Sequence, residues 1–81
     1  MAKTTEADVL ATIQKALGAD GKKITFNSRM GDSDVWDSLG HLGILAALDK
    51  QFQGKVAGIR EMATADSVKT ILQLLKKHSL I

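Results

Sequence analysis

Apolar residues recur every three or four positions in three stretches of this chain, and that spacing restricts the chain to a small helical bundle. In chain order, the stretches contain Val9, Leu10, Ile13 and Leu17; then Leu39, Leu42, Leu45, Leu48 and Phe52, widened by Ile44; then Val68, Ile71, Leu72 and Leu75. A length of 81 residues leaves room for one domain, residues 1–81. We therefore predict an all-α, single-domain protein.

The ends of these helices are predicted from capping residues. Thr5 is a suitable N-cap for the first helix and Gly18 a suitable stop. The second helix is predicted over residues 38–53, and residues 56–62 have room for one short helical turn. Thr64 is predicted to cap the last helix. The expected total is three main helices and one short helix.

Residues 18–37 form a long predicted loop that is rich in glycine and turn-forming residues. Ile24 and Phe26 are its two apolar side chains around Thr25, and we expect both to pin the loop onto the helical core. Trp36, near the end of the loop, is expected to cover the core as a lid. Loops of this length in compact domains are usually functional.

Composition excludes several classes of protein. The absence of cysteine excludes disulfides, zinc–thiolate sites and cysteine nucleophiles. The longest apolar runs are far too short to span a bilayer, and the N-terminus lacks the apolar core of a signal peptide, so we expect a cytoplasmic protein. The net charge of +2 is too small to indicate nucleic-acid binding.

Charge is unevenly distributed along the chain. Residues 32–53 contain four acidic residues and one basic residue, and they lie between segments with net positive charge. Such an acidic patch can steer a basic partner, or it can be only a solvated face.

Ser38 lies where the long loop meets the second helix. At that place a serine either caps the helix or carries a phosphate ester, because the backbone N–H groups of a helix start accept anions well. Ser38 also belongs to the tripeptide Asp37-Ser38-Leu39, which is followed by Leu42, Leu45, Leu48 and Phe52. Motif, helix position, chain length and spacing together resemble the phosphopantetheine-binding acyl carrier protein family, in its stand-alone, specialised form.

The resemblance implies a four-helix acyl-carrier-like bundle with a long loop between its first and second helices. It implies that a phosphopantetheinyl transferase, with coenzyme A and magnesium, attaches 4′-phosphopantetheine covalently to Ser38. The chain then carries an acyl or aminoacyl group as a thioester and is not itself an enzyme. Asp37 would contact the transferase, and Leu39 would offer an apolar contact beside the arm. Trp36, if it does not serve as the lid over the core, would contact the arm. The implied partners are an acyl- or aminoacyl-loading enzyme and an acyltransferase or synthase, acting on a monomeric carrier.

Two further sets of residues follow from the resemblance. The predicted partner-binding residues are Leu39, Leu42, Gly43, Ala46, Lys50 and Met62. The candidates to line an acyl pocket, each of which can equally be plain core, are Val9, Ile13, Leu42, Leu45, Leu48, Val68 and Leu72.

The second helix departs from the family pattern, in which it exposes several glutamates. Gly43 occupies a usually acidic position, and Asp49 with Lys50 supplies only one carboxylate further along. We therefore expect a specialised lipid, cell-envelope or secondary-metabolite pathway with less basic partners. Gly40 and Gly43 each cost a helix about 1 kcal/mol relative to alanine. Either a neighbouring group approaches the backbone closely there, or the glycines are neutral drift.

Other interpretations remain open. Ser38 and His41, three residues apart, have the spacing of a nucleophile–base pair, although no third group or oxyanion hole is evident and a packing or surface histidine is the simpler interpretation. Asp32, Asp34 and Asp37 fail the EF-hand pattern but can form a weak divalent-ion site. The main alternative is a small helical interaction or nucleic-acid-binding module without a prosthetic group. Its basic face would comprise Lys22, Lys23, Arg29, Lys55 and Arg60.

Overall fold

The chain folds into three α-helices and one short 3₁₀ helix, in a computed structural model that describes residues 4–18, 23–32 and 36–81. Helix α1 spans Glu6–Ala16, α2 spans Ser38–Gln51 and α3 spans Val68–Lys77, and the 3₁₀ helix spans Arg60–Thr64. Helix α1 and the 3₁₀ helix each pack against both α2 and α3. The described residues contain no β-strand, so the prediction of a small all-α protein is confirmed.

Helix α1 has the ends that the sequence predicts. The Thr5 hydroxyl accepts a hydrogen bond from the Asp8 amide at 3.2 Å, and the Asp8 carboxylate accepts one from the Thr5 amide at 2.9 Å. This reciprocal pair satisfies two amides that no helix carbonyl can reach. At the other end, Gly18 has a φ of 83°, a left-handed conformation that stops the helix.

Helix α2 is shorter than predicted and ends at Gln51 instead of residue 53. Gln53 has a φ of 58° and Gly54 a φ of 85°, and two consecutive left-handed residues cannot continue a right-handed helix. The short helical turn predicted within residues 56–62 forms later, as the 3₁₀ helix.

The predicted cap of the last helix was wrong. Thr64 is the last residue of the 3₁₀ helix, and its hydroxyl donates a hydrogen bond to the Glu61 carbonyl at 3.2 Å. Ser67 caps α3 instead, with its hydroxyl accepting from the Thr70 amide at 3.1 Å. Both residues have capping chemistry, but Thr64 is already committed to the preceding helix.

The buried face of α2 also differs from the prediction. Leu39 and Leu42 are exposed, at 77% and 62%, although the spacing placed both on the apolar side. Ile44 and Leu48, which the prediction also placed on the apolar side, are buried, and His41 completes the inward face in place of the two exposed leucines. The core that surrounds this face consists of Val9, Ile13, Leu17, Ile24, Trp36, Phe52, Val56, Ile59, Met62, Ala65, Val68, Ile71, Leu72 and Leu75.

Residues 23–32 of the long loop are attached to the helices at two places. Ile24 is buried, and its carbonyl accepts a hydrogen bond from the Gln14 amide group at 2.8 Å. Phe26 is 39% exposed, so only the first of the two apolar side chains pins the loop. Arg29 forms an isolated antiparallel bridge with Ser67, which joins the loop to the start of α3.

Candidate functional site

Ser38 is held in place by the residue that precedes it. Asp37 is the N-cap of α2: its carboxylate accepts a hydrogen bond from the Gly40 amide at 2.8 Å, and its carbonyl accepts from the His41 amide at 2.8 Å. Ser38 itself is the first residue of the helix and is exposed. The cap is therefore Asp37, and the Ser38 hydroxyl is not needed for capping.

Two backbone hydrogen bonds connect described loop residues before Ser38 with the start of α3 and with Trp36. The Met30 amide donates to the Asp66 carbonyl at 2.7 Å, and the Gly31 amide donates to the Trp36 carbonyl at 3.1 Å. Gly31 has a φ of 94°, a backbone conformation that residues other than glycine rarely adopt. These bonds fix the residue two positions before Ser38 relative to the start of α3.

Trp36, His41 and Met62 form a buried hydrogen-bonded chain beneath the start of α2. The Trp36 indole N–H donates to His41 Nδ1 at 3.2 Å, and His41 Nε2 lies 2.8 Å from the Met62 carbonyl oxygen. The two rings are nearly parallel, with centroids 6.2 Å apart and an interplanar angle of 16°. Both nitrogens of His41 are thus engaged away from Ser38, so neither is free to accept the proton of the serine hydroxyl.

A groove of about 240 Å³ opens beside Ser38. It is lined by Met30, Ser38, His41, Leu42, Leu45 and Ala63. A second groove of about 320 Å³ shares Leu45 and Ala63 with the first and continues along α2 towards Val56 and Ile59. The two grooves lie end to end between α2 and the segment around the 3₁₀ helix.

The residues predicted to line an acyl pocket lie in two different places. Leu42 and Leu45 line the groove beside Ser38. The other five are buried among the core side chains: Val9, Ile13, Leu48, Val68 and Leu72. Met30 and Ala63 line the groove without having been predicted, because a single apolar residue in a loop or a short 3₁₀ helix belongs to no periodic pattern that marks it.

Most of the predicted partner-binding residues lie on one outward strip of α2. Leu39, Leu42, Ala46 and Lys50 are all exposed, at the three- and four-residue spacing of a single helix face. Gly43 is half-buried, and a Cβ built on it would lie 3.7 Å from the Ala16 carbonyl oxygen, an ordinary contact distance. Met62 is 1% exposed, so its side chain lies out of reach of a partner.

The outward strip of α2 has little negative charge. Asp49 is half-buried, and its carboxylate accepts a hydrogen bond from the Ala57 amide at 2.8 Å. Lys50 is the charged residue that the strip exposes. The strip is therefore apolar near Ser38 and positive at its far end.

The predicted divalent-ion site is covered by the described residues only in part, because Asp34 lies outside them. Asp32 accepts a hydrogen bond from the Arg29 amide at 3.0 Å, and Asp37 caps α2. Within the described ranges, no group of three or more potential ligands is placed to hold a metal ion.

The proposed basic face is likewise only partly described. Lys22 lies outside the described residues, whereas Lys23, Arg29, Lys55 and Arg60 are exposed. Arg29 forms an exposed ion pair with Asp66 at 3.7 Å. None of these four lies on α2 or α3, so they do not form a row along either helix.

Comparisons with protein-family models, with curated proteins and with solved structures find no match to this chain. Among the described residues, no helix is both long enough and apolar enough to cross a membrane.

Proposed function

We propose that this chain is a phosphopantetheine carrier protein that carries an acyl or aminoacyl group on an arm attached to Ser38. The observation that carries the proposal is the position of Ser38: it lies in an Asp-Ser-Leu motif, is exposed, and is the first residue of α2. A modifying enzyme needs access to the serine oxygen, and the Ser38 hydroxyl is accessible. The proposed architecture is the four-helix carrier bundle, with the 3₁₀ helix as its short third member.

The surroundings of Ser38 suit a phosphate ester. Asp37 accepts from the Gly40 amide, whereas the amides of Ser38 and Leu39, at the first two positions of α2, have no carbonyl within the helix to bind. Amides at a helix start favour an anion. When attached, phosphopantetheine supplies a thiol, which the chain lacks because it has no cysteine, and that thiol holds the cargo as a thioester.

The groove beside Ser38 supports the same proposal. Leu42, Leu45, Met30 and Ala63 provide apolar walls, so an alkyl or pantetheine segment can be partly removed from water there. Each buried methylene contributes about 0.8 kcal/mol. The residues that would hold the arm are therefore on α2, on the loop and on the 3₁₀ helix.

The outward strip of α2 is the proposed docking face for partner enzymes. Leu39 and Leu42 are large apolar side chains that are mostly exposed, and such side chains side by side mark an interaction surface. Since the strip exposes Lys50 and no carboxylate, partners with apolar and weakly acidic faces fit it best. This charge pattern favours a specialised pathway over a general fatty-acid synthase.

The nucleic-acid-binding alternative has less support. Helix α3 exposes Lys69, Lys76 and Lys77, but Lys76 lies 3.2 Å from Glu6 and Lys77 lies 3.8 Å from Glu61. Lysines that are paired with carboxylates have to give up those partners before they can contact phosphates.

Intact-mass measurement tests the proposed function directly. The protein is incubated with coenzyme A, magnesium and a broad-specificity phosphopantetheinyl transferase. We expect a mass gain of one phosphopantetheine group for the wild-type protein and none for Ser38→Ala. Ser79→Ala is the matched control, because it removes another exposed hydroxyl and should leave the gain intact.

Two outcomes would contradict the proposal. One is no gain with any of several transferases, and the other is a gain that survives in Ser38→Ala. Salt-sensitive binding to DNA in the unmodified protein would then favour the interaction-module alternative.

A further inference from the structure

His41 is the one buried polar side chain among the described residues, with 3% of its surface exposed. Its protonation state follows from its two partners. An indole N–H can only donate, so Nδ1 must accept from Trp36; a carbonyl oxygen can only accept, so Nε2 must carry the proton that binds Met62. The structure therefore requires neutral His41 in the Nε2–H form.

The two hydrogen bonds join three separate segments. Trp36 belongs to the end of the long loop, His41 to the first turns of α2, and Met62 to the 3₁₀ helix. Ser38 lies one turn before His41, and both residues line the same groove. The chain of hydrogen bonds thus holds together the segments that line the groove beside Ser38.

A second proton on His41 would break this arrangement. Nδ1–H would face the Trp36 N–H, two donors with no acceptor between them, in a buried position where unpaired polar groups are costly. The Met62 bond is unaffected by protonation, since Nε2 donates in both states. The bond to Trp36 is therefore the sensitive one.

The described charged side chains on the surrounding segments do not offset that conflict. The exposed ones on the loop, the helices and the 3₁₀ helix are Lys23, Arg29, Asp32, Glu6, Asp8, Lys15, Lys50, Arg60, Glu61, Lys69, Lys76 and Lys77. Asp37 just before α2 bonds the Gly40 amide, Asp49 within α2 bonds the Ala57 amide, and Asp66 just before α3 pairs with Arg29. Each of these three carboxylates has a partner other than the His41 ring.

We infer that His41 is a pH-sensitive latch: while neutral, it positions Trp36 and the 3₁₀ helix against the start of α2, and when protonated it releases Trp36. The released state takes up more protons than the latched state, so the latch holds at high pH and is lost as the pH falls. The consequence for Ser38 rests on the carrier function proposed above. The latch itself does not.

Trp36 is the only tryptophan in the chain, so its fluorescence reports on the latch. Between pH 8 and pH 5 we expect the emission maximum of the wild-type protein to shift to longer wavelength as the indole meets water. His41→Gln, which does not titrate, should lose the shift. The matched control is His78→Gln, which removes the only other histidine, an exposed residue after α3, and should keep the shift.

Trp36→Phe is a second variant that tests the latch if His41→Gln does not fold. Trp36→Phe keeps a buried ring but removes the N–H that opposes protonation. For the wild-type protein and His78→Gln, the equilibrium constant for urea unfolding should rise on the order of tenfold between pH 8 and pH 5, relative to Trp36→Phe. An equal rise in Trp36→Phe, or a shift that persists in His41→Gln or disappears in His78→Gln, would overturn the latch.

The latch and the carrier function can fail separately. A normal mass gain at pH 8 with no pH response of Trp36 would overturn the latch and keep the carrier. A pH response that depends on His41, in a protein that accepts no phosphopantetheine, would keep the latch and overturn the carrier.

Discussion

Asp37 has two separable effects, and a pair of substitutions distinguishes them. The structure assigns its carboxylate to the Gly40 amide as the cap of α2, while the proposed function also places it in contact with the modifying transferase. Asparagine caps a helix about as well as aspartate but carries no charge. Asp37→Asn therefore removes the charge and keeps the cap, whereas Asp37→Ala removes both.

The loss of stability expected for Asp37→Ala follows from one lost hydrogen bond at an exposed helix start. Replacing a capping aspartate by alanine costs about 1 kcal/mol, with a range of roughly 0.5–2 kcal/mol. In a domain of this size, about 1 kcal/mol lowers Tm by about 4–8 °C. We expect that loss for Asp37→Ala and a change of only a few tenths of a kcal/mol for Asp37→Asn.

Unlike stability, the rate of modification should fall in both variants. If the charge of Asp37 contacts the transferase, both variants should lose at least about tenfold in kcat/KM, equivalent to about 1.4 kcal/mol. Thermal denaturation and the initial rate of mass gain are the two measurements. Thr5→Ala is the matched control: it removes the cap of α1, should cost similar stability, and should leave the rate unchanged.

Two results would refute this reasoning. Equal destabilisation by Asp37→Asn and Asp37→Ala would mean that the charge of Asp37, and not its hydrogen bond, stabilises the helix. A wild-type rate in Asp37→Asn would mean that Asp37 affects modification only by forming the helix start that presents Ser38.

Three further predictions concern α2, and urea denaturation measures the stability change in each of them. Ile44→Ala should lower the free energy of unfolding by about 2–5 kcal/mol, because it empties a fully buried site; a loss below about 1 kcal/mol would contradict the described core. Leu42→Ala should change stability by no more than about 0.5 kcal/mol, because the side chain is mostly exposed, yet should slow transfer to a partner enzyme; a core-sized loss would show that Leu42 is buried. Gly43→Ala should raise stability by about 0.5–1 kcal/mol, because alanine favours the helix and its Cβ would meet only the Ala16 carbonyl oxygen at 3.7 Å; destabilisation would show that α1 approaches too closely.

The ends of α1 were predictable because the local sequence contains all the groups that determine them. Thr5, Asp8 and Gly18 act within one helical turn of each end, with no contribution from the rest of the chain. The cap of α3 was not predictable in the same way. Thr64 and Ser67 have similar chemistry, and the choice between them depends on the 3₁₀ helix. That helix has five residues, which is too short to show a periodic pattern in the sequence.

The exposure of Leu39 and Leu42 was missed for a different reason. The spacing places both on one broad apolar side with Ile44, Leu48 and Phe52, of which only the last three are buried. Apolarity alone favours the two leucines over His41, which lies one turn before Ile44 on the buried face. Only the tertiary partners reverse this preference: Trp36 and the Met62 carbonyl satisfy both nitrogens of the histidine, so that it can be buried.

The exposure of leucine beside Ser38 follows from the burial of His41. A helix that turns His41, Ile44 and Leu48 inward must turn Leu39 and Leu42 outward, since residues about two positions apart lie on opposite sides of a helix. An exposed apolar pair contributes little to stability, whereas next to the serine of the proposed modification it would offer a contact for a partner or for the arm. The position at which the hydrophobic pattern fails to predict the fold is therefore the position where the proposed function needs an apolar surface, as expected when local rules are broken at functional sites.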